Sequence, residues 1–340
     1  MEGRERIKRI LNGEEVDRSG FWIGNPTPEA QEIYCRELGL GSLEELSRTL
    51  GDDLFWIKGE DAEWKHPEKK VIFDVIGNRK DGGKEGPIFS DVEDVGEIEK
   101  AYWPDPKYYD FLSLKPLFDR IRESGRAIFS GMWSPIWHML HFYFGMEKCF
   151  IKMYTAPAVI HAVCERLTDF YIRCNEILFD LYADYIDAFF FGNDLGTQSD
   201  CMISPEMYRE FVFPYMRKII SGAKSRGIKV ALHSCGSIYR IIPDIIEMGV
   251  DILHPIQTRA RGMEFDVLQR EYGKDLVFMG GLDTQELLPF KSEKEVYEEA
   301  LRLRRLSGKR FILSPSHEAL LPNVSVKNVL AMSAAAKVIL

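Results

Sequence analysis

The segment KVALHSCGSIYRIIPDIIEMGVDILHPIQ (Lys229–Gln257) decides the fold of this chain. Its two apolar runs, KVALH and DILHPI, are short and continuous, which is typical of parallel strands that are covered on both faces. Between them, Tyr239–Met248 has the apolar spacing of a helix. A strand, a helix and a second strand in this order predict a β/α/β unit.

The same alternation extends outward on both sides of this unit. Apolar runs predict strands at Gly20–Pro26, Asp53–Gly59, Ala127–Trp133, Ala188–Asp194, Lys229–Gly236, Asp251–Gln257, Leu276–Asp283 and Arg310–His317. Helical patterns lie at Pro28–Gly39, Ser42–Leu50, Leu114–Ser124, His138–Thr155, Pro157–Tyr182, Ser204–Arg226, Tyr239–Met248, Glu264–Tyr272, Ser292–Leu306 and Val326–Ile339.

Eight strands, most of them followed by helices, predict an α/β fold, a single (β/α)8 TIM barrel that occupies residues 1–340 as one domain. We expect an N-terminal helix (Arg4–Asn12, within residues 1–20) and a hairpin excursion (Lys69–Asp91, within about residues 66–110) as additions. The alternative is a doubly wound open sheet, which needs a glycine-rich phosphate turn after an early strand. The early GNP and GDD do not match that turn, so the barrel is favoured.

Composition limits the class of protein. The chain has 44 basic and 53 acidic residues, a net charge of −9, and 45% of its residues are apolar. This acidic balance disfavours nonspecific binding to nucleic acid or to anionic membranes. The apolar runs are shorter than the ~20 residues that span a bilayer. Since the first 18 residues lack the apolar core of a secretory signal, we expect a cytoplasmic protein with reduced thiols.

The predicted strand ends carry chemistry-bearing side chains. In a (β/α)8 barrel the active site lies at the carboxyl ends of the strands. The residues found where the apolar runs stop include Asn25, Trp56, Lys58, Trp133, Asn193, Asp194, His233, Cys235, His254, Gln257, Asp283, Ser316, His317 and Glu318.

His233 and Cys235 form the sharpest motif. Strand residues two apart point to the same face, so imidazole and thiol converge if that face looks into the barrel mouth. Zn²⁺ accepts this mixture of nitrogen and sulfur, and a catalytic zinc has three protein ligands and one open position. The best third candidate is His317, ahead of Glu318. The alternative is that His233 bonds a backbone carbonyl and Cys235 is a small core residue.

Two further groups are predicted to serve the site. Asn193 and Asp194 follow an apolar strand, and Asp194 is expected to act as a base or to orient a metal-bound histidine, the alternative being a turn or helix cap. His138, His141 and His161 lie on predicted helices and are expected to be surface or packing residues. The expected binding residues for a planar or methylated ligand are Trp22, Asn25, Trp56, Trp133, His254, Gln257 and Asp283, although the tryptophans also fit a core role.

Four segments carry a resemblance to a known family. They are GNDLGTQSDCMISPEMYREFVFPYMRKI, KVALHSCGSIYRIIPDIIEMGVDILHPIQ, FMGGLDTQELLPF and SPSHEALLPNVSVKNVLAM. At these motifs the chain resembles the uroporphyrinogen decarboxylase superfamily. The resemblance covers nearly the whole chain, is strongest from Phe191 onward, and implies a (β/α)8 barrel.

The decarboxylases of that superfamily carry an N-terminal PxWxMRQAGR segment whose arginines hold substrate carboxylates. The matching region here reads FWIGNPTPEAQEIY (Phe21–Tyr34), without those arginines. Because a porphyrinogen with many carboxylates needs cationic partners, this departure weighs against porphyrinogen decarboxylation. The resemblance also implies that Asp53 occupies the position of the central catalytic aspartate of the decarboxylases.

The other branch contains corrinoid-dependent methyltransferases, whose zinc ligands are an H-x-C pair on the fifth strand and a cysteine after the last strand. His233 and Cys235 match the pair, whereas this chain has Ser-Pro-Ser-His at the last position, so His317, or less well Ser316, has to replace the cysteine. Neutral imidazole in place of thiolate makes bound Zn²⁺ a better Lewis acid.

The resemblance therefore implies a zinc-dependent methyltransferase that moves a methyl group from a small methylated substrate to the corrinoid of a partner protein. The stronger Lewis acid favours a methyl ether as the donor. The alternatives are a decarboxylase of another carboxylated substrate, a methylcobamide:thiol methyltransferase, and a non-catalytic ligand-binding barrel. No nucleic acid or membrane is expected as a partner, and homodimer formation is left open.

Overall fold

Eight parallel strands curve into a barrel in the computed structural model, which describes residues 1–70 and 87–339. A separate antiparallel pair joins β3 to β4, and the barrel order is β1-β10-β9-β8-β7-β6-β5-β2. The predicted (β/α)8 barrel is confirmed. The strands are β1 (Gly20–Phe21), β2 (Leu54–Lys58), β3 (Glu63–Trp64), β4 (Tyr109–Asp110), β5 (Ala127–Gly131), β6 (Ala188–Gly192), β7 (Lys229–His233), β8 (Ile252–Ile256), β9 (Val277–Leu282) and β10 (Phe311–Pro315).

Helices surround the barrel. A core of apolar side chains fills the space between them and the outer face of the sheet. The helices are α1 (Gly3–Asn12), α2 (Pro28–Leu38), α3 (Leu43–Leu50), α4 (Val95–Lys100), α5 (Lys115–Glu123), α6 (Ile136–Phe144), α7 (Met146–Thr155), α8 (Pro157–Tyr182), α9 (Pro205–Phe211), α10 (Phe213–Ser225), α11 (Ile242–Met248), α12 (Phe265–Tyr272), α13 (Leu287–Phe290), α14 (Glu293–Leu306) and α15 (Val326–Ala336).

Two predicted helices are each divided in the structure. The segment predicted as one helix over His138–Thr155 breaks at Gly145, whose φ of +72° is outside the helical region. The segment predicted over Ser204–Arg226 breaks at Val212, since the ring of Pro214 cannot donate a backbone hydrogen bond into the preceding turn. The hairpin predicted at Lys69–Asp91 falls largely on residues 71–86, outside the described residues.

The predicted N-terminal helix is present as α1 and closes the amino-terminal end of the barrel. Ile7, Ile10 and Leu11 of α1 join an inner apolar cluster. The cluster includes the first residues of β2, β5, β6, β8 and β9, which are Leu54, Ala127, Ala188, Ile252 and Val277. The site therefore has to lie at the other end, where the strands finish.

Asp53, which was predicted to be a catalytic residue, lies at this closed end and not at the mouth. Its buried carboxylate accepts hydrogen bonds from Arg6 Nη1 at 2.6 Å and Arg18 Nη1 at 2.7 Å. It also accepts from the backbone N–H of Phe21 at 2.9 Å, while its own N–H donates to the Phe21 carbonyl. Since β1 and β2 are the two ends of the strand order, Asp53 joins the edges of the barrel far from the mouth.

Among residues 1–70 and 87–339, no helix combines the length and the apolar character needed to cross a bilayer.

Candidate functional site

The carboxyl ends of four strands bring the candidate residues together. His233 is the last residue of β7, and the parallel register places it beside Gly192 of β6 and His254 of β8. Asp194 and Cys235 each follow the end of their strand by two residues, and His317 follows β10. The strand ends thus meet at one mouth, as the barrel fold requires.

His233 is the centre of the cluster and is almost completely buried, with 2% of its surface exposed. Its Nε2 atom lies 3.3 Å from Sγ of Cys235 and 3.2 Å from Oδ1 of Asp194. Its Nδ1 atom lies 3.1 Å from Nδ1 of His254 and 3.3 Å from Oε2 of Glu318. Both ring nitrogens of His233 are therefore in contact with groups that can bind a cation or a proton.

The three predicted metal ligands, His233, Cys235 and His317, come together. One donor atom of each lies within 4.8 Å of the others. A tetrahedral centre with the usual Zn–S and Zn–N lengths separates nitrogen from sulfur by about 3.6 Å, close to the 3.3 Å between Nε2 of His233 and Sγ of Cys235. Nδ1 of His317 accepts the N–H of Ala319 at 3.0 Å, so Nδ1 is the unprotonated nitrogen of the neutral ring. A metal would bind that atom in place of the N–H. The donor set fits zinc.

Glu318 belongs to the site, although the sequence placed it behind His317. Its side chain is 14% exposed, and its backbone carbonyl accepts the N–H of Asn25 at 2.7 Å. Gly24, with φ of +95°, permits this contact because a Cβ there would collide with the Glu318 carbonyl oxygen. The signal in the sequence was its position directly after His317. The close approach of the Gly24 segment was not foreseeable from a single motif.

Asp194 connects three parts of the mouth. Its Oδ1 atom accepts the backbone N–H of Cys235 at 2.9 Å, and its Oδ2 atom lies 3.2 Å from Nε2 of His138. Burial tends to raise the pKa of Asp194, but His138 and His233 lower it well below its usual value. His138 was expected to be a surface or packing residue, so this contact is a correction, made by the start of α6 folding over the mouth.

The two central histidines, His233 and His254, have pKa values shifted in opposite directions. Burial opposes the charge on His233, yet Glu318, Cys235 and Asp194 raise its pKa well above the usual value. Burial and the neighbouring His233 lower the pKa of His254 well below its usual value, so that ring is neutral. Burial raises the pKa of the Cys235 thiol, against the effect of His233.

An aromatic wall borders the cluster. The Trp133 ring centre lies 5.1 Å from that of His233, and the Trp22 ring centre lies 5.5 Å from that of His254. The ring centres of Trp56 and Trp133 lie 5.1 Å apart. Phe190, which was not among the predicted site residues, has its ring centre 5.1 Å from that of Trp56 and 5.7 Å from that of Trp133. Trp56 and Trp133, which are partly exposed, border the cluster on one side, whereas Trp22 is 2% exposed and belongs to the inner apolar cluster, the core role that was its alternative.

Three other predicted site residues have local structural contacts. Asn193 is fully buried, and its side-chain oxygen accepts the N–H of Trp137 at 2.8 Å, which fixes the start of α6. The side-chain oxygen of Gln257 accepts the N–H of Gly236 at 2.8 Å. Asp283 accepts from three backbone N–H groups at the start of α13, those of Gln285, Glu286 and Leu287. These bonds shape the loops around the mouth.

The fold and the cluster define a (β/α)8 barrel protein whose carboxyl-terminal mouth gathers histidine, cysteine and carboxylate side chains. The uroporphyrinogen decarboxylase (URO-D) family model matches residues 81–339, which is most of the chain. The chain belongs to the uroporphyrinogen decarboxylase family, as the sequence motifs predicted.

Two known proteins from Methanosarcina mazei are similar to the chain. A methylated-thiol–coenzyme M methyltransferase is 29% identical over 224 residues, which cover 62% of this chain and 54% of that protein. The chain thus matches about half the length of this curated relative. A solved structure described as a methyltransferase has a TM-score of 0.70 at 16% identity and covers 98% of both chains, which supports the fold.

Proposed function

We propose that this protein is a zinc-dependent methyltransferase, which moves a methyl group from a small methylated substrate to the corrinoid of a partner protein. The observation that carries the proposal is the convergence of His233, Cys235 and His317 on one point of the barrel mouth. The methyltransferase names of the two Methanosarcina mazei proteins support the same class of reaction. The absence of the carboxylate-binding arginines from Phe21–Tyr34 argues against a porphyrinogen substrate.

His233, Cys235 and His317 are the residues that would hold the metal. Bound Zn²⁺ supplies a Lewis acid that polarises the heteroatom next to the methyl group. With two neutral imidazoles and one thiolate, this set carries less negative charge than one with two thiolates, which favours a methyl ether as the donor. A methylated thiol is the second candidate substrate class, because the curated relative carries it in its name.

The surrounding residues position the ligands. Asp194 accepts the backbone N–H of Cys235 and so fixes the loop that carries the thiol. Glu318, close to Nδ1 of His233, is placed to accept a proton from that atom and to leave Nε2 for the metal. Trp133 excludes water from one side of His233 and offers a flat apolar surface to the substrate, while the buried Trp22 packs beside His254.

Metal content tests the proposal most directly. We expect the purified protein to hold about one zinc per chain by elemental analysis, and His233→Ala to lose most of it. His161→Ala is the matched control, because His161, on helix α8, contacts the Tyr215 hydroxyl and stands outside the donor group. A correctly folded wild-type protein that binds no zinc, even when zinc is supplied, overturns the proposal.

A turnover assay separates the reaction classes. Methylation of reduced free cobalamin, followed by its absorbance, is expected with an aryl methyl ether or a methylated thiol and is expected to fail with Cys235→Ala. A decarboxylase instead releases carbon dioxide from a carboxylated substrate and is insensitive to a chelator. Such chelator-resistant release, without methyl transfer, contradicts the proposal.

A further inference from the structure

The ring of His233 has a second set of donors on the side away from Cys235. Nδ1 of His233 lies 3.1 Å from Nδ1 of His254 and 3.3 Å from Oε2 of Glu318. Donor atoms of these three residues lie within 4.8 Å of one another. Tetrahedral coordination at a metal–nitrogen length of about 2.05 Å separates two nitrogens by about 3.3 Å, which agrees with the observed spacing.

The acid in this group is mostly buried, and one of its two carboxylate oxygens makes no hydrogen bond. Within the described part of the chain, Oε2 of Glu318 is inaccessible to solvent and accepts no hydrogen bond. His254 is completely buried, beside Trp22 and Phe190. A buried carboxylate oxygen without a hydrogen bond is costly unless a cation lies beside it, and a bound metal ion would be such a cation.

We propose that His233, His254 and Glu318 form a second metal position, which takes a divalent first-row ion without the help of Cys235. Two imidazoles and one carboxylate are a donor set that zinc, iron(II) and cobalt(II) all accept. The position goes beyond the methyltransferase proposal, because it needs neither the thiol nor a methyl donor. A neutral imidazole offers one unprotonated nitrogen, so the two positions share His233 and exclude each other.

Cobalt(II) distinguishes the two positions by spectroscopy. Cobalt bound to Cys235 has an intense thiolate-to-metal charge-transfer band, whereas cobalt at the second position has ligand-field bands only. We expect one cobalt per chain in the wild type, with the charge-transfer band. We expect Cys235→Ala to bind one cobalt without that band, and His233→Ala to bind none.

Double variants identify the ligands of the second position. Adding His254→Leu or Glu318→Gln to Cys235→Ala is expected to weaken cobalt binding more than about 100-fold, which exceeds the effect of losing an outer-shell partner. Adding His317→Leu is expected to leave binding unchanged, because His317 belongs to the thiolate set only. Thermal unfolding of each variant verifies that it is folded.

The opposite results overturn the second position. If folded Cys235→Ala binds no cobalt, or if His317→Leu abolishes its binding and His254→Leu does not, then the donor set proposed here is wrong. A wild-type charge-transfer band in that case leaves the thiolate site, and with it the proposed function, intact. Absence of cobalt and zinc from the wild type overturns both.

Discussion

The carboxylate of Asp194 accepts the backbone N–H of Cys235 at 2.9 Å, across the ends of two neighbouring strands. The same carboxylate contacts His233 and His138. It therefore connects the thiol-bearing loop after β7 with the loop after β6 and with helix α6. We expect a residue in this position to control the geometry of the donor group without being required as a ligand.

Asp194→Asn should weaken zinc binding by roughly 10- to 100-fold, the usual effect of changing a group that orients a metal ligand. The amide oxygen can still accept the N–H of Cys235, but the negative charge beside the metal position and the carboxylate acceptor for His138 are lost. Competition with a chromogenic chelator measures the affinity. Asp200→Asn, on the exposed part of the same loop, serves as the control, and equal affinities in both variants would contradict the role of Asp194.

Gly192→Ala should disturb the aromatic wall. A Cβ at residue 192 would overlap the ring of Trp133, which lies against β6 and beside His233. We expect a loss of stability of about 1–3 kcal/mol from overpacking, together with a shifted tryptophan emission maximum and a raised KM for the methyl donor. Urea unfolding, fluorescence and steady-state kinetics measure these effects.

The matched control for this change is Gly222→Ala in α10. There the nearest atom to an added Cβ is the end of the Arg226 side chain at 3.7 Å. Alanine within a helix is more favourable than glycine by about 0.5–1 kcal/mol. If Gly192→Ala is as stable and as active as this control, Trp133 does not form a fixed wall of the site.

Asp53→Asn should lower stability without changing the chemistry. Removing the charge leaves Arg6 and Arg18 beside a buried neutral amide, and breaking a buried ion pair costs about 3–5 kcal/mol. Zinc content per folded molecule should remain that of the wild type, because Asp53 is at the closed end of the barrel. Asp17→Asn, whose side chain is 36% exposed, is expected to cost much less.

These two variants distinguish a role of Asp53 in joining β1 to β2 from a role in the candidate site. Denaturant unfolding reports stability, and kcat corrected for the folded fraction reports chemistry. A folded Asp53→Asn protein with wild-type stability and a greatly reduced kcat would restore the catalytic role that the family resemblance implied.

We expect the free energy of unfolding to depend on pH through the buried side chain of His141. Burial, and then the charge of His138, lower the pKa of His141 to about 4. A histidine in the unfolded chain titrates near pH 6.5, so the unfolded state takes up this proton first. The stabilising contribution of the neutral ring is complete above about pH 6.5 and is lost as the pH falls toward 4.

The His141→Phe variant should remove this part of the slope. Between about pH 6.5 and 4, the wild type should lose up to about 1.4 kcal/mol per pH unit more than the variant. Urea unfolding at several pH values measures the difference. His161→Phe is a control on another helix, and parallel curves for the wild type and His141→Phe would show that His141 is not the titrating group.

Much of the candidate site follows from local sequence. The two-residue spacing of His233 and Cys235 puts both side chains on one face of a strand, and the barrel assignment places that face at the mouth. The same reasoning selected His317 and Asp194, which the structure brings to the pair. It also selected Asn193, Gln257 and Asp283, whose side chains bond to backbone groups of nearby loops.

The sequence by itself determined the order of strands and helices, and so the barrel and the end at which its polar residues collect, because the two-residue and 3.6-residue periods are properties of the local backbone. Only the tertiary structure decided that Asp53 serves the closed end, that His138 reaches Asp194, and that Glu318 and His254 meet the second nitrogen of His233. Those contacts join residues from 21 to 85 positions apart. The pattern of apolar residues along one strand is local, so it does not indicate which side chains come together over such separations.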